Sequence, residues 1–534
     1  MKKIVYIPLD DRPISVKRVD LLAKASGFSI VIPDLELVRT TLDHQPLTKY
    51  HKQCGDTQEL LKWYSKLNHN DFDYYIISID QISSGGLVNS RSTRNLSISD
   101  TITIIDSFLR PIIENNKKAI LIDSIMRLAS TIGYLSYTDE EYGSFRKYAK
   151  IKRLEASSFD EIISNYELDE FGNDIDYASC NLTIDKKNEY LLSRERKIKI
   201  SKHLVELSNQ YSNLIIFLGI DDSSSEASIQ GNEINYFKKF ENDNYIIIEG
   251  IDELALCAVA RVSQTEHLQD YVRVHINYIG HNEHVCGDSY QSMTIDECVK
   301  KHLKAVNAIS VEENPQIELV CLTYKEDECG SVDPVIDELI ACINHYQRLN
   351  KPTILIDLFN WNRYGPLESR LAKEVNLSKL LGYSNWNTIS NVIGIGIAIG
   401  VSYYSYLSSN HQYDENCILN FIKLHTFSLI KDISFKIFAH KYIKNKINDD
   451  ANNPKSNLNF YMDLEKLDLD KITKEIIFDN NISKIDDIIN NLCQHGFYKS
   501  LSDDSFKISS IEIDNFTYPW YRTFEMDFTV QLKK

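Results

Sequence analysis

Five times along the chain a short apolar run gives way to aspartate. Ile4–Ile7 leads to Asp10 and Asp11, Tyr74–Ile79 to Asp80, Ala119–Ile122 to Asp123, Leu214–Leu218 to Asp221 and Asp222, and Thr353–Ile356 to Asp357. Runs of this length, rich in β-branched and aromatic residues, read as buried strands. Helix-length stretches separate them: Val16–Lys24 with Gly27 at its C-terminal cap, then Gln58–Leu67, Ile102–Ile113 and Leu192–Leu207. Strands alternating with helices must pair in parallel through right-handed crossovers, which brings their carboxyl ends to one edge. Open α/β sheets bind their ligands at that edge. The expected fold is therefore α/β, with mostly parallel sheets in Rossmann-like β-α alternation.

Phe28–Ile32 and Tyr245–Ile248 add strands to this first region, and an apolar helix through Arg261 follows. Val272–Tyr278 and Glu318–Leu322 open a second α/β section, in which Val335–Leu349 reads as an amphipathic helix. From about Ser402 the chain becomes helix-rich, with Lys444–Asn457 expected as an exposed loop. It ends in two strands, Ser509–Ile513 and Met526–Leu532. The domains expected are 1–270, 271–400 and 401–534.

A formal charge of −17 argues against general nucleic-acid binding, which needs basic surface to neutralise phosphates. The ten cysteines include no CxxC pair, so neither a zinc ribbon nor a thioredoxin-type centre is indicated. The first residues run straight into a strand without a secretory pattern, and the most apolar run, Val392–Val401, is too short to span a bilayer. A cytoplasmic protein with no membrane partner is expected, its oligomeric state left open.

One aspartate at a strand end has a plain explanation as a helix cap. Several at one edge repel one another unless a ligand, metal or arginine offsets the cost. Asp10, Asp11, Asp221 and Asp222 are the candidates for catalysis, and Arg12, Asp80, Asp123, Arg127 and Glu253 the candidates for lining the cleft. The loop Ser83–Arg91 adds Gly85 and Gly86, which allow close approach of the backbone to a ligand, and Asn89 and Arg91 as donors. It is neither a Walker loop nor GxGxxG. His281 and His284, three apart in Gly280–His284, are weak candidates for a metal site. Trp386, Asn387 and Asn391 combine an indole face with carboxamides, a pairing suited to a sugar, and are expected to reach the same cleft.

PLDDRP at Pro8–Pro13, SSGGLVNSR at Ser83–Arg91, GxDD at Gly219–Asp222, GxDE at Gly250–Glu253, WNTxxN at Trp386–Asn391 and PWxRTFE at Pro519–Glu525 occur in this order. Together they resemble the uncharacterised bacterial family called domain of unknown function 4127. The resemblance implies that these elements belong together and carries no activity with it.

The residues themselves point to a hydrolase acting on a carbohydrate or related polyhydroxylated small molecule, one carboxyl serving as acid and another as base or nucleophile. No cofactor is required by this reading. Two alternatives use the same residues: a divalent-metal-dependent isomerase or hydrolase, and a non-catalytic sugar-binding or sensing protein.

Overall fold

The central parallel strands of the first sheet form where the sequence is apolar at nearly every position, because both faces of those strands are covered. In a computed structural model that describes residues 1–43, 45–92, 97–286, 290–323, 333–358, 366–385, 387–409, 414–450, 467–502 and 505–534, six strands make the first sheet. They are β1 (Lys3–Ile7), β2 (Ser29–Val31), β3 (Tyr74–Ser78), β4 (Lys118–Ile125), β5 (Leu214–Ile220) and β6 (Tyr245–Glu249), all parallel, in the order β2-β1-β3-β4-β5-β6. Val5, Ile7, Ile77, Leu121, Ile216 and Ile247 belong to one core cluster, while the alternate residues Ile4, Tyr6, Ile76, Ile120 and Ile246 are buried as well.

A second parallel sheet holds β7 (Val272–Ile279), β8 (Ala308–Ser310), β9 (Ile317–Leu322), β10 (Thr353–Asp357) and β11 (Leu380–Ser384), in the order β11-β10-β9-β7-β8. Read from its other edge this is β8-β7-β9-β10-β11, the same pattern as β2-β1-β3-β4-β5. Both sheets are thus doubly wound with the strand order reversing beside their first strand. The C-terminal region is rich in helices and closes with two antiparallel ladders, β12 (Phe497–Tyr498) with β13 (Ser505–Phe506) and β14 (Ser510–Thr517) with β15 (Asp527–Lys533).

The chain divides into two compact units. The first comprises Met1–Asp11, Ser29–Ala255 and Asp288–Met293, and the second Arg12–Phe28, Leu256–Gly287 and Thr294–Lys534. Each unit is therefore assembled from separated stretches of chain.

In the second unit the helix Ile389–Ser408 is long and apolar enough to cross a membrane by length and composition, yet most of it is buried. It lies on β11 so closely that a Cβ at Gly382 would stand 2.5 Å from the Gly396 carbonyl oxygen. Its small residues serve helix-on-sheet packing. The helix Glu415–Leu429 runs into a ten-residue π-helix, Ile430–Ala439, and then into the helix His440–Asp450. The expected loop from Lys444 is thus helical as far as Asp450, and residues 451–457 lie outside the described residues. Ile443 and Ile447, one helical turn apart and fully buried, hold that stretch in place despite its Asn, Asp and Lys content.

Gly85 shows how tightly the first unit closes at the end of β3. It adopts φ +80°, its carbonyl accepts the Gly55 N–H at 2.8 Å, and a Cβ on it would stand 2.3 Å from the Gly55 carbonyl oxygen. Gly85→Ala is expected to cost about 1–3 kcal/mol from the left-handed backbone alone. Urea unfolding of the variant measures the loss, and an unchanged midpoint would show that the backbone here yields freely.

Candidate functional site

Within the first unit the strand register carries Asp10, Asp11, Asp80, Asp123, Asp221 and Asp222 to the carboxyl edge of one sheet. They do not form one cluster. β1 and β5 are separated by β3 and β4, so their ends stand three strand spacings apart, about 14 Å. That exceeds the separation of two carboxyls acting across one glycosidic bond, about 5–10 Å. As strand positions, Asp10 and Asp11 therefore belong to a different locus from Asp221 and Asp222.

Asp80 and Asp123 turn away from any ligand role. Ile79 opens a helix, Ile79–Ser84, so Asp80 sits in its first turn. Both carboxylates are fully buried on Lys197, at 2.5 Å from Asp80 and 2.9 Å from Asp123. Ser124 donates to Asp80 at 2.7 Å and Ser201 to Asp123 at 2.5 Å. Burial raises the Asp123 carboxyl above its ordinary value, with Lys197 pulling the other way. Burial alone would lower the Lys197 ammonium, but the two carboxylates raise it. These groups tie β3 and β4 to the helix Ile184–Gln210 and correct the expectation that they line a cleft.

At the end of β5 the two adjacent aspartates meet two different arginines, Arg91 pairing with Asp221 and Arg127 with Asp222. Arg91 also donates to Thr131 at 2.7 Å. Burial raises the Asp221 carboxyl, while Arg91 and Arg127 beside it oppose the shift. Asp222 differs: 23% of its side chain is exposed, and its backbone is held at φ +34°, an uncommon value for a residue with a Cβ. Arg127 is held in turn, its carbonyl accepting from Arg194 at 2.9 Å. Arg194 forms a fully buried two-pronged pair with Glu233, at 2.9 and 2.6 Å.

Around β1 and β3 the residues are different. Asp11 is half-buried and accepts the Thr40 N–H at 3.1 Å. Asp10 is fully buried, and its charge adds to burial in raising the Tyr6 hydroxyl. Gly86 has φ +130°, and a Cβ there would meet Thr40 Oγ1 at 3.1 Å, Gln81 Oε1 at 3.4 Å and the Leu9 carbonyl at 3.6 Å. Asn89 is occupied locally, donating to the Ser84 carbonyl at 2.7 Å and accepting from Tyr134 at 2.8 Å. Glu253 is buried under the turn at Gly250, its carboxylate 1.9 Å from where a Cβ on that glycine would stand. The neighbouring Glu249, absent from the sequence expectation, accepts the Ser292 and Met293 N–H groups and the Ser223 hydroxyl, fastening 292–293 to the end of β6.

Arg12 belongs to the second unit. It lies 4.5 Å from the centre of the Trp520 ring and pairs with Glu525 at 3.5 Å, which Lys431 approaches at 3.6 Å. Arg18 pairs with Asp432 at 3.0 Å, Asp432 accepts the Asn385 N–H at 3.1 Å, and Asn385 donates to Asp357 at 2.6 Å. Lys436 donates to the Asn385 carbonyl at 3.0 Å. Burial lowers both Lys431 and Lys436 to about 8. Asn387 (φ +69°) and the buried Asn391 are also in this unit, and Trp386 lies outside the described residues. His284 is exposed and meets Glu283 at 3.5 Å. Among the described residues no group of three or more His, Cys, Asp or Glu is placed to hold a metal.

Five of the six ordered sequence elements therefore meet: SSGGLVNSR with GxDD through Arg91–Asp221, GxDE with GxDD through the Gly250 N–H on the Ile220 carbonyl at 2.9 Å, and PLDDRP with PWxRTFE through Arg12, Trp520 and Glu525. A family model described as a protein of unknown function (DUF4127) matches residues 4–529. No curated protein and no solved structure matches the chain.

Proposed function

The chain belongs to the DUF4127 family, and we propose that it is a hydrolase acting on a carbohydrate or related polyhydroxylated small molecule through Asp221 and Asp222. The observation that supports this is the unlike surroundings of two adjacent carboxyls. Each meets an arginine, but Asp221 is buried, which raises its carboxyl towards the condition of a proton donor against the pull of Arg91, whereas Asp222 stays partly exposed, which suits a base or nucleophile. In hydrolysis the Asp221 proton passes to the leaving oxygen as the C–O bond breaks. Asp222 either takes a proton from the attacking water or attacks the sugar carbon itself; in the second case water breaks the covalent intermediate, the now ionised Asp221 takes the water's proton and Asp222 leaves as carboxylate.

Screening aryl glycosides and small sugar conjugates, with and without divalent cations, tests the reading. On a substrate so found, Asp221→Asn is expected to lower turnover about 10²–10⁴-fold while the fold is kept. A raised donor is active below its pKa, so wild-type turnover should fall as pH rises through it, and Asp221→Asn should lose that limb. Full activity in Asp221→Asn removes the residue from the chemistry. Binding of sugars without turnover of any of them favours a sensing protein, and turnover only with an added cation favours the metal-dependent alternative.

A further inference from the structure

The first sheet reverses its strand order beside β1, so its crevice opens at the carboxyl ends of β1 and β3. That position is distinct from the end of β5. Three polar side chains lie near this crevice on two elements: Thr40 and its neighbour Thr41 on the connection after β2, and Gln81 on the helix Ile79–Ser84 after β3. All are at least 97% buried. Thr40 Oγ1, Thr41 Oγ1 and both carboxamide atoms of Gln81 have no hydrogen-bond partner. Thr40 Oγ1, Gln81 Oε1 and the Leu9 carbonyl all lie within 3.6 Å of the point that a Cβ on Gly86 would occupy, and Asp11 is joined to the Thr40 loop through the Thr40 N–H.

Polar atoms buried without partners cost roughly 1–3 kcal/mol each, and four of them at a doubly wound crevice indicate recognition. We infer that Thr40, Thr41, Gln81 and Gly86, with Asp11 at the border, form a binding site for an uncharged, hydroxyl-rich ligand. The donor and acceptor inventory decides the ligand class. Hydroxyls and a carboxamide both give and accept hydrogen bonds, as the hydroxyl groups of a sugar or cyclitol require. A phosphate needs backbone N–H groups or cations. The Gly85 and Gly86 N–H groups are already committed to the Gln81 and Asp80 carbonyls, at 2.9 and 3.1 Å, and Asp11 adds negative charge. The ligand class agrees with that proposed for the β5 carboxylates, but binding here does not depend on hydrolysis.

Thermal denaturation of the full chain tests the inference, with D-glucose, D-galactose, myo-inositol or inorganic phosphate added at on the order of 50 mM. Gln81→Leu removes the unpartnered carboxamide at similar volume, and Thr40→Val is the second variant should Gln81→Leu fail to fold. At least one of the three polyols is expected to raise the wild-type Tm by about 2 °C more than that of the variant, the variant's own response reporting non-specific stabilisation by sugars. Phosphate should not distinguish the proteins. Equal responses to all three polyols overturn the site, and a wild-type-specific response to phosphate overturns the ligand class. Asp221→Asn should keep the polyol response while losing turnover, so failure of one proposal is told apart from failure of the other.

Discussion

Lys197→Met destabilises the first unit by about 3–5 kcal/mol, the loss expected when one partner of a buried ion pair is removed and its counter-charges stay behind. Lys197 is the cation between Asp80 and Asp123, all three fully or almost fully buried. Methionine fills the volume of the lysine stem but leaves the two carboxylates facing each other. The deficit has a defined pH dependence. Asp123 is already raised by burial against the pull of Lys197, and loss of the lysine raises it further. A group raised in the folded state stabilises below its unfolded pKa, and that contribution is lost as pH rises through its folded pKa. The variant should therefore recover stability relative to wild type as the pH is lowered towards 4, and adding Asp80→Asn and Asp123→Asn should recover part of it at neutral pH. Urea unfolding at several pH values measures this. A deficit that does not change with pH would show that the carboxylates are not the source of the loss.

The second unit has its own buried pair, and Asp432→Ala is expected to cost a similar amount, about 3–5 kcal/mol. Arg18 and Asp432 are both fully inaccessible, and Asp432 also accepts the Asn385 N–H at the end of β11. Alanine removes the counter-charge and the acceptor together, whereas Asp432→Asn keeps an acceptor and should lose less. The place of the loss is as informative as its size. Hydrogen exchange should accelerate in β10, β11 and the π-helix while the core of the first sheet keeps its protection. In Lys197→Met the acceleration should instead fall on β3 and β4. Equal loosening of both sheets in either variant would argue against two separately stabilised units.

The sheets were legible because parallel strands buried on both faces leave uninterrupted apolar runs, as at Ile4–Ile7 and Leu214–Leu218. The edge reached by the aspartates was legible for the same reason. Their grouping was not. Strand order is set by long-range pairing, and only the placing of β3 and β4 between β1 and β5 separates Asp11 from Asp221. Lys197 was hidden because a lysine in a charged helix ordinarily points to solvent, and its burial depends on two carboxylates more than seventy residues away in sequence. Arg18 and Asp432 pose the same difficulty across a separation of 414 residues. Gln81 follows directly on Asp80, and nothing in its local sequence distinguishes it from a surface glutamine. The helix through Lys444–Asp450 was masked by polar composition, although Ile443 and Ile447 carried its spacing.

The division of the chain also sets a timetable for synthesis. The helix Lys17–Ala25 belongs to the second unit and packs on the helix Glu415–Leu429. A ribosome adding about 5–20 residues per second delivers that partner roughly 20–80 s after the first helix. Throughout that interval Val19 and Leu22, fully buried in the finished protein, and the charge of Arg18 lack their later partners. Strands β1 to β6 can pair once Glu249 has emerged, but an early segment between β1 and β2 must stay available for residues not yet made. Nascent chains released at intermediate lengths should accordingly show this helix open to proteolysis, and recruitment of a chaperone to it, until the segment around Asp432 has left the exit tunnel.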